Sequence, residues 1–127
     1  MKLTHICIIT KSVRKLTDFY KKILQISPSI DMDEYAEFEL GGAKLAIFDS
    51  EMHGTVASNS LIPESNKSVI IEIAVDDVDK EYERLCKENV TIVRKPGDQV
   101  WGVRSFYFKD CDGNLVDFYT HLENQDL

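Results

Sequence analysis

The chemistry that this chain could carry begins at His5, an imidazole set inside the β-branched stretch Leu3-Thr4-His5-Ile6-Cys7-Ile8-Ile9-Thr10. Such a stretch reads as a strand. Alternation puts His5, Cys7 and Ile9 on one face and Ile6 and Ile8 on the other. A thiol beside an imidazole is the start of a nucleophilic pair, but the pair needs a third group to orient the base. The neighbouring residues offer none, so Cys7 is expected to be a small buried filler. The other histidines have less promising surroundings. His53 lies in a polar stretch and is expected to be solvated. His121 lies beside an acidic C-terminus and is expected at the surface. There is no Gly-rich phosphate loop and no serine nucleophile elbow. Aromatic residues are more informative. Tyr35, Phe38, Phe48, Trp101, Phe106, Tyr107, Phe108, Phe118 and Tyr119 fall on or beside strand-like segments. Alternation sends about half of such residues to each face. A few of them, with scattered polar groups, would suit a small-molecule site.

The elements that must position these residues occur in one order, twice. After the first strand, Ser12 is a candidate N-cap. Val13, Leu16, Phe19, Tyr20, Ile23 and Leu24 then recur at helical spacing. Pro28 closes the helical region, and a short strand near 28–32 is weakly signalled. Residues 35–40 and 43–49 read as strands joined at Gly41-Gly42. In the second copy, 69–75 is a strand, Asp77 is a candidate N-cap, and a helix runs from Val78 to Glu88. Thr91-Ile92-Val93 is a short strand and Pro96-Gly97-Asp98 a turn. Strands 103–109 and 114–120 flank Asp112-Gly113. The helix starts, Val13 and Val78, are offset by 65 residues, and the hairpin glycines, Gly42 and Gly113, by 71. Each copy is therefore a β-α-β-β-β unit, repeated within one chain. Between them, residues 50–68 are polar and aperiodic and read as a linker or lid loop.

Bulk composition narrows the class. The 127 residues are one domain's worth, with 43% hydrophobic and 29% charged residues, ordinary for a globular protein. No apolar run is long enough for a membrane span and no signal-peptide pattern opens the chain, so cytoplasm is the expected location. Cys7, Cys86 and Cys111 are odd in number and form no CxxC pair, which argues against a disulfide framework or a cysteine zinc site. A net charge of −7 makes nucleic acid and an anionic membrane poor partners, while a cationic ligand would be tolerated.

Two βαβββ modules of this length resemble the glyoxalase / bleomycin-resistance / extradiol dioxygenase superfamily, the vicinal-oxygen-chelate proteins. Ser12-Val13-Arg14-Lys15-Leu16-Thr17-Asp18-Phe19-Tyr20 is similar to that family's first helix. The segment Ala74-Val75-Asp76-Asp77-Val78-Asp79 resembles its second-module junction. The run from Trp101-Gly102-Val103-Arg104 to Asp110-Cys111-Asp112-Gly113-Asn114 and Asp117-Phe118 resembles its closing hairpin, with Cys111 where proline is usual. The resemblance implies an α+β fold in a single domain over 1–127. Module 1 would span about 1–49, the linker about 50–68 and module 2 about 69–122. The two would form a curved, cup-like mixed β-sheet with helices on the outer face, often completed across a homodimer.

The resemblance also maps the family's metal positions onto His5, Ala46, Ile70 and Asp117. Imidazole and carboxylate can ligate a divalent metal, but alanine and isoleucine cannot, and a catalytic metal usually has at least three protein ligands. Glu72, two residues after Ile70, would share that strand face, and a displaced carboxylate there would give a set of His5, Glu72 and Asp117. Otherwise it should pair with a lysine or arginine or face solvent. Ala46 and Ile70 therefore argue against a metal cofactor. The expectation is a small-molecule-binding protein that sequesters a drug or metabolite without a metal. Its pocket would draw on His5, Phe38, Phe48 and Glu72, and on Trp101, Tyr107, Asp117 and Tyr119. The alternative is a metal-dependent, glyoxalase-I-like lyase or dioxygenase using His5 and Asp117.

Overall fold

The computed structural model describes residues 1–54, 57 and 60–123. The chain divides into two compact units, Met1–Ser65 and Asn66–Leu127.

The first unit contains β1 (His5–Thr10), α1 (Val13–Leu24), β2 (Ile30–Asp31), β3 (Tyr35–Leu40), β4 (Ala43–Asp49) and a short helix α2 (Ser50–Gly54). Its sheet has the order β1-β4-β3-β2, with β1 and β4 parallel and the other pairs antiparallel. The apolar stripe of α1, carrying Val13, Leu16, Tyr20 and Ile23, is buried, because helical spacing puts these residues on one side. Tyr20 meets Phe38 of β3 with ring centroids 6.4 Å apart. The helix ends where Gln25 turns left-handed and donates its backbone N–H to the Lys21 carbonyl. At the β3–β4 hairpin, Leu40 pairs with Ala43 around a two-residue turn. Gly41 and Gly42 both hold positive φ, at 63° and 102°, as a primed turn requires.

The second unit contains β5 (Ile70–Ala74), α3 (Val78–Cys86), β6 (Thr91–Asp98), β7 (Val103–Lys109) and β8 (Leu115–His121), in the sheet order β5-β8-β7-β6. Asp77 caps α3 by accepting from the Lys80 backbone N–H. Tyr82 packs edge-on against Phe106 at 5.4 Å, and Phe106, Phe108 and Phe118 form a ring cluster with centroids 5.0–5.7 Å apart. This cluster and the buried Val78 and Leu85 form the core between α3 and the sheet.

Two expectations are corrected. Pro96-Gly97-Asp98 is not a turn but the end of β6, whose register to β7 slips between Ile92 and Arg94 and again between Arg94 and Gly97. β6 is the outer strand of its sheet, where a proline without an N–H is tolerated and bulges absorb extra residues. The 50–68 stretch is not wholly aperiodic, since it opens with α2. Among the described residues no helix is long and apolar enough to cross a membrane.

Candidate functional site

In each unit the helix covers one face of the sheet, and the side chains of interest line the other. Strand register sorts the first unit's face into rows. His5 on β1 stands beside Lys44 on β4 and Glu39 on β3. Cys7 stands beside Ala46 and Glu37, and Ile9 beside Phe48 and Tyr35. Glu37 is buried, and its carboxylate organises this face. Its Oε1 accepts from the Tyr35 hydroxyl at 2.7 Å and from Nε2 of His5 at 2.8 Å, and Nζ of Lys44 lies 3.7 Å from Oε2. The hydrogen bond from Tyr35, followed by His5 and the Lys44 charge, holds the Glu37 carboxyl below its ordinary range against the opposing effect of burial. Burial, with the same bond to Glu37, pushes the Tyr35 hydroxyl up to about 12. The His5 Nδ1 lies 2.9 Å from the Thr4 hydroxyl. With Nε2–H donated to Glu37, Nδ1 is the acceptor in this tautomer.

The sequence reading missed Glu37 and Lys44 and placed Tyr35 only among the aromatics. The signal was present. A two-residue turn at Gly41-Gly42 fixes the register, and period-two alternation then sets Tyr35, Glu37 and Glu39 on the face opposite Ala36 and Phe38. Phe38, expected in the pocket, is fully buried against α1 and does not reach the open face. Phe48 does lie there, edge-on to Tyr35 at 5.8 Å. His53 is not simply solvated, since its ring packs edge-on against Phe48 at 6.2 Å. Cys7 is exposed rather than a buried filler. Its sulfur is nevertheless enclosed enough for desolvation to raise the thiol above its ordinary value, which disfavours a reactive thiolate.

The second unit's open face follows the same logic. Ile70, Leu115 and Lys109 form one row. Glu72, Asp117 and Tyr107 form the next, extended to Arg94 on β6. Ala74, Tyr119 and Ser105 form a third. Asp117 is 2% exposed, and its Oδ1 has no hydrogen-bond partner among the described residues. Burial, then the hydrogen bond with Glu72 and the charge of Glu72, pushes Asp117 up to about 7. Of the two expectations for Glu72, the structure has the solvent-facing one: Glu72 is exposed on the end strand β5, and its carboxylate neighbour is Asp117, directly across the β5–β8 ladder, rather than a lysine or arginine. Tyr119 meets His121 edge-on at 5.6 Å. Trp101, on the β6–β7 connection, is 57% exposed. The structure thus groups Glu72, Asp117, Tyr107 and Tyr119 in one unit, and His5 and Phe48 in the other.

These residues do not fit the family's metal. In the first unit His5 is accompanied by the methyl of Ala46, and in the second Asp117 by the alkyl chain of Ile70. The His5 Nε2 is engaged by Glu37. Among the described residues, no three His, Cys, Asp or Glu side chains are grouped to hold a metal ion. The model of the Glyoxalase/Bleomycin resistance protein/Dioxygenase superfamily matches residues 2–118. The chain belongs to this superfamily. It is 32% identical to YraH, an uncharacterized protein of Bacillus subtilis (strain 168), over 96% of this chain and 100% of that one. It is 25% identical to the metallothiol transferase FosB of Staphylococcus haemolyticus (strain JCSC1435), over 93% of this chain and 82% of FosB. It is 27% identical to the phenazine antibiotic resistance protein EhpR of Enterobacter agglomerans, over 86% of this chain and 84% of EhpR.

Proposed function

We propose that this superfamily member binds a small organic molecule and sequesters it without metal catalysis. One observation carries the reading. Two of the four mapped ligand positions are alkyl, Ala46 and Ile70, and the His5 Nε2 is bonded to Glu37. Aromatic rings beside polar groups on the open faces, Phe48 with Tyr35 and Tyr119 with Tyr107, supply the apolar area and orienting contacts that a small-molecule site uses. The role that EhpR is named for, resistance to a phenazine antibiotic, is in keeping with this proposal. A thermal-shift titration of chelator-stripped protein with Ni²⁺, Zn²⁺, Mn²⁺ and Fe²⁺, followed by elemental analysis, tests it. A ligand that binds only the folded state raises the melting temperature by mass action. The proposal expects no shift and no retained metal.

The competing reading, a metal-dependent transferase, lyase or dioxygenase using His5 and Asp117, is favoured by the likeness to FosB. It requires a stoichiometric metal that is lost in His5→Ala and in Asp117→Ala. We also propose that the chain acts in the cytoplasm as a homodimer.

A further inference from the structure

We propose that Glu72 and Asp117 receive the ammonium group of an organic amine, with the rings of Tyr107 and Tyr119 beside it. This rests on the small-molecule reading above and names the chemical class of the ligand. The two units differ in how they treat a carboxylate on the open face. In the first, Glu37 has its own donors in Tyr35, His5 and Lys44, so its charge is matched within the protein. In the second, the corresponding middle row brings Glu72 and Asp117 together across the ladder. Neither forms an ion pair among the described residues. Asp117 is 2% exposed, and its Oδ1 is left without a donor.

A buried acceptor without a partner is costly, because desolvation is not repaid by a hydrogen bond. What the row lacks is therefore an N–H donor that also carries positive charge. The protein's own cations on this face do not supply it. Lys109 lies one row away on β7, and Arg94 lies at the far end of the row on β6, two strands from Asp117. At the usual strand spacing that is about 10 Å. A protonated amine satisfies Oδ1 and offsets the two acidic groups at once. The flanking aromatic residues Tyr107, next to Asp117 in the row, and Tyr119, one row on, favour an amine attached to a flat apolar body.

Fluorescence and calorimetric titration of the full chain with 1-naphthylmethylamine, and with the neutral 1-naphthylmethanol of the same ring, tests this. The amine should bind about tenfold or more tightly, as expected for a charged hydrogen bond. Asp117→Asn and Glu72→Gln should each reduce the ratio of amine to alcohol affinity towards one, with an unchanged circular-dichroism spectrum reporting that the variants are folded. Equal binding of amine and alcohol overturns the inference and leaves the small-molecule reading standing. Binding of neither at millimolar concentration overturns both. Exclusion of the amine by Mn²⁺ would make the carboxylates a metal site and overturn the inference.

Discussion

Glu37 shows how a single buried carboxylate is kept charged. Its partners stabilise the ionised form, so its folded-state pKa lies below the unfolded value of 4.5. The stability this contributes is present above that value and is lost as the pH falls through the folded one. Glu37→Gln should remove this acid-side loss and, at neutral pH, cost about 1–3 kcal/mol, because the Tyr35 and His5 donors lose an ionised acceptor. Urea melts from pH 3 to 7 would test this, and an unchanged profile would contradict it. Asp117 has the opposite sign. Its folded pKa is raised from 3.8 to about 7, so its contribution is present at low pH and is lost as the pH rises through the folded value. Asp117→Asn should therefore be more stable than the parent at pH 8 and lose that advantage near pH 4. Equal melting temperatures of the two proteins at pH 8 would show that the carboxyl is not held in a disfavoured charged state.

At the scale of elements, the hairpins carry the clearest link from sequence to site. The β3–β4 turn needs two positive-φ residues, and Gly41 and Gly42 provide them without a Cβ to strain. No atom would obstruct a Cβ at either position, so a Gly42→Val change, at φ 102°, acts through backbone strain alone. It should lower stability by about 1–3 kcal/mol and disturb the register that sets Glu37 beside Ala46. Circular-dichroism melts would report the first effect, and the backbone amide NMR shifts of Glu37 and Ala46 the second. The β7–β8 connection is built differently. It runs from Lys109 to Leu115, and the Asp110 carboxylate accepts from the backbone N–H groups of Asp112 and Asn114 and from the Asn114 side chain. The glycine of the Asp112-Gly113 pair was legible in the sequence, but the organising role of Asp110 was not, since a buried Asx network leaves no period. The same limit explains β6. Propensity at Pro96-Gly97 signals a turn, whereas pairing with β7 and an outer-strand position override it. Phe38 was misplaced for a simpler reason. Alternation defines two faces but does not say which one the helix covers, and only the packing of Tyr20 decides it.

The whole chain is a duplication whose two copies keep the scaffold and divide the chemistry. That the order and offsets were readable follows from helix caps, apolar periods and turn glycines, all of which are local. The pairings His5–Glu37 and Glu72–Asp117 span 32 and 45 residues of sequence, and they exist only once the strands are in register. Duplication has a second consequence. Each sheet ends on its first strand, β1 in one unit and β5 in the other, and an end strand offers unpaired backbone groups to another chain unless charge or a bulge protects it. β1 carries no Asp, Glu, Lys or Arg, and the one charge on β5 is Glu72. β1 exposes Ile6 at 44% and β5 exposes Ile70 at 45%. If a second copy covers these strands, the protein should run as a dimer in light scattering after gel filtration. Combining Ile6→Lys with Ile70→Lys should convert it to a monomer that retains its circular-dichroism spectrum. Both positions are already solvent-accessible, and a charge at such a site is usually tolerated to within about 0.5 kcal/mol. Loss of dimer without loss of fold would therefore locate the interface at these strands, and a monomeric parent would remove the dimer from the proposed function.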